Sequence, residues 1–276
     1  MKRILITILA VFATITASAQ YKTVTDIPYR TDSSEAAFRQ ERCKLDVYYP
    51  ENAKEPFKTI VWVHGGALMY LQKELPEQLM NRDVAIVAMN YSQYPQGRCP
   101  EFIEDVAAAI AWTFAHIAEY GGSADEIYVA GHSTGGYLAL MVALDKSYLG
   151  AYGIDADAVK GYYSIGGQTA VPDAVCKQFG LAVGEPAQNE FAPLSHIRKL
   201  QTPLVLITGD RRLEQPRRYE ENTYLKAALE TFGNAKIPLY EMQGFTHEEA
   251  YQPATLLVYK LVTGKSVSTL GRSYRR

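Results

Sequence analysis

The stretch from Glu126 to Leu144, EIYVAGHSTGGYLALMVAL, constrains this chain more than any other. A strand-like apolar run enters a glycine-rich turn and leaves it directly into an apolar run of helical length. Gly131, Ser133 and Gly135 stand in the pattern G-x-S-x-G. So sharp a reversal needs small residues on either side of its centre, and it lifts the central hydroxyl above the strand end. Backbone N–H groups at the start of the following helix can stabilise an oxyanion there. Ser133 is therefore a candidate nucleophile. His132 reads as a packing residue, because adjacent side chains on such a turn point in different directions.

The rest of the chain supplies a frame for that turn. TIVWVHGG (Thr59 to Gly66), VAIVAMNY (Val84 to Tyr91), VKGYYSIGG (Val159 to Gly167) and TPLVLITGD (Thr202 to Asp210) are continuous apolar runs. They predict strands buried on both faces. KLDVYYP (Lys44 to Pro50) alternates and stops at proline, and KIPLYEM (Lys236 to Met242) predicts the last strand. Helical spacing marks Glu101 to Gly121, Arg218 to Gly233 and Pro253 to Gly264, each ending at a glycine. Residues 21–42 read as polar and irregular. Strands alternating with helices predict an α/β class with a mostly parallel sheet and helices on both faces. No repeat or linker divides residues 20–276, which read as one domain.

Residues 1–19 read differently. Lys2 and Arg3 precede an apolar run from Ile4 to Ile15 and a small-residue stretch at Ala17 to Ala19. This is the pattern of a secretory signal peptide, and it predicts a secreted or periplasmic protein with no stable membrane insertion after cleavage. The apolar run is too short to span a bilayer comfortably. A net formal charge of −2, with no basic block, argues against nucleic-acid binding. Cys43, Cys99 and Cys176 allow one disulfide and one free thiol after export, and none is spaced for zinc.

Acyl-transfer chemistry needs N–H donors aimed at a developing oxyanion. One is the residue after the nucleophile, Thr134. The other comes from the loop after an earlier strand, where Gly65 and Gly66 follow His64. Ala67 stands where a third glycine is common, and its amide can still donate. His64 reads as a brace for that loop. Of the five histidines, His116 falls in a predicted helix and His196 precedes a strand, whereas His247 follows the last strand. His247 is the candidate general base.

With LDVYYP, VWVHGGA, NYSQYPQ, FIEDVAAAIAW, GHSTGG, ITGD and GFTH in this order, the chain resembles the α/β-hydrolase superfamily from about Cys43 to Gly264. It is most similar to secreted bacterial feruloyl-esterase-like and hormone-sensitive-lipase-like carboxylesterases. The resemblance implies ester hydrolysis through an acyl-enzyme, without metal or organic cofactor, on small-molecule or carbohydrate esters such as acetyl or feruloyl groups on sugars. Twenty tyrosines could stack on sugars, or serve packing alone.

The acid stays open. Relatives place it three residues after the glycine of G-x-x-D, and here Arg212 occupies that position after Gly209. Glu214, slightly further along, is the preferred candidate; Asp210, at the strand end, is the other, and neither is the third reading. Arg211, Arg212, Arg217 and Arg218 read as surface or as an anchor for an anionic substrate group. Two other functions remain: a prolyl-type serine peptidase, disfavoured because no propeller-like domain precedes this one, and a non-catalytic binding protein, which the arginine in the acid position keeps open.

Overall fold

The computed structural model describes residues 20–31, 36–184 and 186–265; the expected signal peptide lies outside the described residues. The strands are β1 (Tyr21–Pro28), β2 (Lys44–Pro50), β3 (Phe57–Val63), β4 (Val84–Met89), β5 (Gly122–His132), β6 (Gly161–Ile165), β7 (Leu204–Gly209) and β8 (Leu239–Met242). They form one sheet in the order β1-β2-β4-β3-β5-β6-β7-β8. β1 and β2 join antiparallel, and every pairing from β4 onward is parallel.

The helices are α1 (Ala37–Arg42), α2 (Glu101–His116), α3 (Thr134–Leu144), α4 (Ser147–Gly150), α5 (Asp173–Phe179), α6 (Arg218–Thr231) and α7 (Tyr251–Thr263). Alternate strand residues serve two cores. Val61, Val63, Val87, Val129 and Leu206 pack with residues of α2, α3 and α6. Ile60, Trp62, Ile86, Ala130 and Ile207 pack with Ala254, Val258 and Val262 of α7 and with Leu79. Burial on both faces is what made the central strands read as continuous apolar runs. Every residue of α3 is buried, so the helix behind Ser133 is held on all sides.

Five expectations need correction. Residues 21–42 are not irregular, since they hold β1 and α1. The β1 burial pattern lacks a period of two because a register shift between Val24 and Ile27 breaks it, with Asp26 at φ 58°. The last strand begins at Leu239 rather than Lys236; Pro238 has no N–H to give the sheet and contributes only its carbonyl, to Leu206 N at 3.0 Å. The predicted helix to Gly121 is α-helical to His116 and then tightens into a 3₁₀ turn, which Gly121 ends at φ 94°. No disulfide forms: Cys43, Cys99 and Cys176 are free and buried. Strand–helix alternation also lapses between β3 and β4, where residues 64–83 run as loop and turns. Among the described residues no helix is long and apolar enough to cross a membrane.

Candidate active site

Ser133 sits at the carboxyl end of β5 with φ 56° and ψ −124°, a strained conformation for a residue with a side chain. The close packing that forces it can be measured. A Cβ on Gly135 would lie 2.0 Å from Val63 O, and one on Gly131 would lie 2.4 Å from the Gly135 backbone. Ser133 N donates to Ile165 O at 2.8 Å, which ties the turn to β6. Thr134 is buried beneath it as the first residue of α3.

The loop after β3 faces the serine. Gly66 at φ 104°, Ala67 at φ 53° and Leu68 at φ 61° carry the chain through three left-handed residues. Only glycine fits at Gly66, where a Cβ would meet Tyr70 O at 1.9 Å. Among the described residues, the amides of Gly65, Gly66, Ala67 and Thr134 donate to no protein acceptor outside regular helices and strands. The loop is propped from behind. Tyr91 Oη donates to His64 O at 2.9 Å, and Gln93 Nε2 donates to Tyr70 O at 2.8 Å. Arg42 bonds both Tyr91 O, at 2.7 Å, and Leu71 O, at 3.0 Å. His64 stacks on Tyr91 with centroids 4.4 Å apart, and burial pushes its pKa down to about 4, so it stays neutral.

Glu214 meets the histidine. Its Oε1 lies 2.6 Å from His247 Nδ1, and both side chains are buried. The turn Asp210–Glu214 closes with Glu214 N donating to Asp210 O at 2.8 Å. That turn brings the carboxylate back over the strand end, where Gly209 N donates to Oε2 at 2.7 Å. Burial raises the Glu214 pKa, but His247 and the amides of Gln215 and Gly209 outweigh it and hold the group at about 2. A carboxylate on Nδ1 leaves Nε2 to face the cavity, and Nε2 has no hydrogen-bond partner among the described residues.

Asp210 is not brought to the histidine. Its carboxylate accepts from Arg212 N and Arg212 Nε at 2.9 and 3.1 Å, and from Gly244 N at 2.8 Å. It shapes the acid loop and pins the loop that carries His247. Arg212 points to solvent with 79 % of its side chain exposed. The four arginines separate: Arg211 pairs with Glu241 at 2.6 Å and Arg212 with Asp210, whereas Arg217 and Arg218 line the cavity beside Ser133.

That cavity is about 640 Å³ and holds Ser133 and His247 with Gly65, Gly66 and Ala67 on its wall. His116 pairs with Glu119 and His196 meets Glu190 O, both outside it. Sequence reasoning missed the parts played by three residues, although Arg218 stood in the arginine cluster it singled out. Gly166, at φ 56°, leaves room for the His247 ring, since a Cβ there would lie 2.7 Å from His247 Cε1. Arg218 donates to Gly166 O and, at 2.9 Å, to Gln215 Oε1. Tyr91 holds the oxyanion-side loop. The paired glycines ending the β6 run were the signal for the first; nothing local marked the other two. Among the described residues no group of three or more His, Cys, Asp or Glu could hold a metal ion.

Known proteins share this arrangement of strands. A truncated carbohydrate esterase from gut microbiota superposes with a TM-score of 0.68 at 18% identity, covering 90% of this chain and 99% of that one. A hyperthermophilic esterase of the archaeon Pyrobaculum calidifontis gives a TM-score of 0.66 at 19% identity, covering 89% of this chain and 83% of that one. In sequence, a probable isoprenylcysteine alpha-carbonyl methylesterase of Arabidopsis thaliana is 27% identical over 240 residues, which is 77% of this chain and 50% of that protein. The chain thus spans about half the length of the curated relatives it matches. The BD-FAE family model matches residues 45–189, just over half of the chain, from β2 through the nucleophile turn and past β6. With the mostly parallel eight-stranded sheet and its flanking helices, this shows that the chain is an α/β-hydrolase of the BD-FAE family.

Proposed function

We propose that this chain is a serine carboxylic-ester hydrolase, exported by its N-terminal signal, acting on short acyl esters such as acetyl or feruloyl groups on carbohydrates. The observation that carries the reading is the Glu214 carboxylate on His247 Nδ1 at 2.6 Å, in a cavity that also exposes Ser133 on its strained turn. Ser133 Oγ attacks the ester carbonyl while His247 Nε2 takes its proton. Glu214 stabilises the imidazolium that forms. The Thr134 amide, with those of Gly65 to Ala67, receives the oxyanion. His247 returns the proton to the leaving alcohol, then activates water to hydrolyse the acyl-enzyme. The open cavity, with polar and charged side chains such as Gln168, Asp173 and Lys177 in its wall, suits a hydroxyl-rich alcohol.

The test is initial rates of 4-nitrophenyl acetate hydrolysis by the mature protein and three folded variants. Ser133→Ala should lose on the order of a thousandfold or more, and Glu214→Gln on the order of a hundred- to ten-thousandfold. Asp210→Asn should keep most of the rate. A wild type no faster than Ser133→Ala would remove the hydrolase reading. Collapse of Asp210→Asn with survival of Glu214→Gln would reverse the acid assignment.

A further inference from the structure

His132 stands one residue before Ser133, and its ring lies against the base. Its Nε2 is 3.0 Å from the backbone carbonyl of His247. A carbonyl only accepts, so Nε2 carries the proton and donates. The two imidazoles lie 4.7 Å apart, tilted by 34°. Tyr251, the first residue of α7, meets the His132 ring edge-on at 5.3 Å, and its hydroxyl donates to Glu74 Oε1 at 2.8 Å. The His132 ring is thus held on protein groups and presents its N–H to one acceptor.

That acceptor matters because of how the base is otherwise tethered. Asp210 holds the His247 loop at Gly244 N, at 2.8 Å, and Asp210 N donates to Phe245 O at 2.8 Å. Glu214 holds the His247 ring. Each of these contacts fixes the base to the acid side of the site. His247 Nε2 has no hydrogen-bond partner among the described residues, so the spacing from base to serine is not set by a direct bond. The His132 contact joins the base's own backbone to the nucleophile turn.

We propose that His132 is a positioning residue: through its bond to the His247 carbonyl, it sets how closely the base approaches Ser133. The proposal rests on the serine-hydrolase reading and adds a residue to it. A displacement of about 1 Å at a reacting pair can cost on the order of a hundredfold in rate, so a single clamp at this point has a large lever. Burial, and then the neighbouring His247, hold the His132 pKa at about 4. At neutral pH the clamp therefore brings no positive charge beside the imidazolium that forms on His247.

The experiment compares wild type, Ser133→Ala, His132→Phe, His132→Asn and His132→Gln on 4-nitrophenyl acetate, with rates per site titrated by a fluorophosphonate. Phenylalanine keeps an aromatic ring and lacks the donor. The asparagine amide ends an atom short of the carbonyl and provides a second loss variant should His132→Phe not fold. The glutamine amide reaches as far as Nε2. His132→Phe and His132→Asn should lose about 10- to 100-fold in kcat with KM within about threefold, and His132→Gln should recover most of it. Full kcat per titrated site in His132→Phe or His132→Asn would overturn the proposal, as would equal losses in all three variants. A wild type no faster than Ser133→Ala overturns the hydrolase reading and this inference with it. That result is distinct from a serine-dependent wild type whose His132 variants are unimpaired.

Discussion

Gly166 shows how much of this site depends on a missing methyl group. The His247 ring occupies the space a Cβ would fill, which would lie 2.7 Å from His247 Cε1, and φ of 56° already disfavours any other residue. Gly166→Ala should lower kcat by at least about tenfold, because the ring must rotate or retreat before the backbone can accept the side chain. Stability should fall by only about 1 kcal/mol, the usual cost of a left-handed alanine. Kinetics and urea denaturation on the same preparation would separate the two; a variant with unchanged kcat would show that the ring has room to spare. Gly135 is the harsher case. A Cβ there would meet backbone, Val63 O, which cannot swing aside.

Elements shape the candidate site through loops rather than directly. The segment 64–71 has left-handed residues, and buried polar groups on neighbouring loops hold it in shape. Tyr91, just after β4, donates to His64 O at 2.9 Å and lies 3.1 Å from Gly65 O. Tyr91→Phe removes the hydroxyl and takes its donor from the buried His64 carbonyl, at a cost of about 1–3 kcal/mol, whereas Gly65 O keeps its contact with His64 Nδ1 at 2.7 Å. Because these carbonyls lie in the loop expected to receive the oxyanion, kcat should fall while KM changes little. A stability loss with intact kcat would assign Tyr91 to the fold alone. Asp210 plays the matching part on the other side, bridging the loops after β7 and β8 through Gly244 N and Phe245 O.

At the scale of the whole molecule, acid should weaken the fold in two adjoining windows. His64 and His132 are held at about 4, mainly by burial, against an ordinary histidine value of 6.5. The unfolded chain binds more protons between those values, so stability is present above pH about 6.5 and is lost as the pH falls toward 4. Each group should cost about 2 kcal/mol between pH 7 and pH 5. Glu214, held at about 2 against an ordinary 4.5, adds a loss of the same sign below that window. Guanidinium denaturation at pH 7 and pH 5 measures this. His132→Gln should lose less stability between the two pH values than wild type does. An equal loss would mean that His132 does not titrate as a buried neutral group.

Much of this arrangement was legible before any coordinates. Five buried strands, the G-x-S-x-G turn and a histidine after the last strand follow from local pattern, because burial on both sheet faces and a tight strand-to-helix turn each demand particular residues at particular spacings. β1 was not legible, since its bulge destroys the alternation that marks an edge strand, and Pro238 shortened β8 from within. The acid was undecidable along the chain. Arg212 holds the familiar position, and two carboxylates flank it. Only the folded turn puts one of them, Glu214, against both Gly209 N and the His247 ring, because a hydrogen bond depends on where side chains end in space and not on their order. The same reason hid the roles of Tyr91, Gly166 and Arg218. The class of fold and the candidate nucleophile were written in local spacing. Which carboxylate meets His247, and what keeps the loop after β3 in place, were decided by contacts between segments that only tertiary packing brings together.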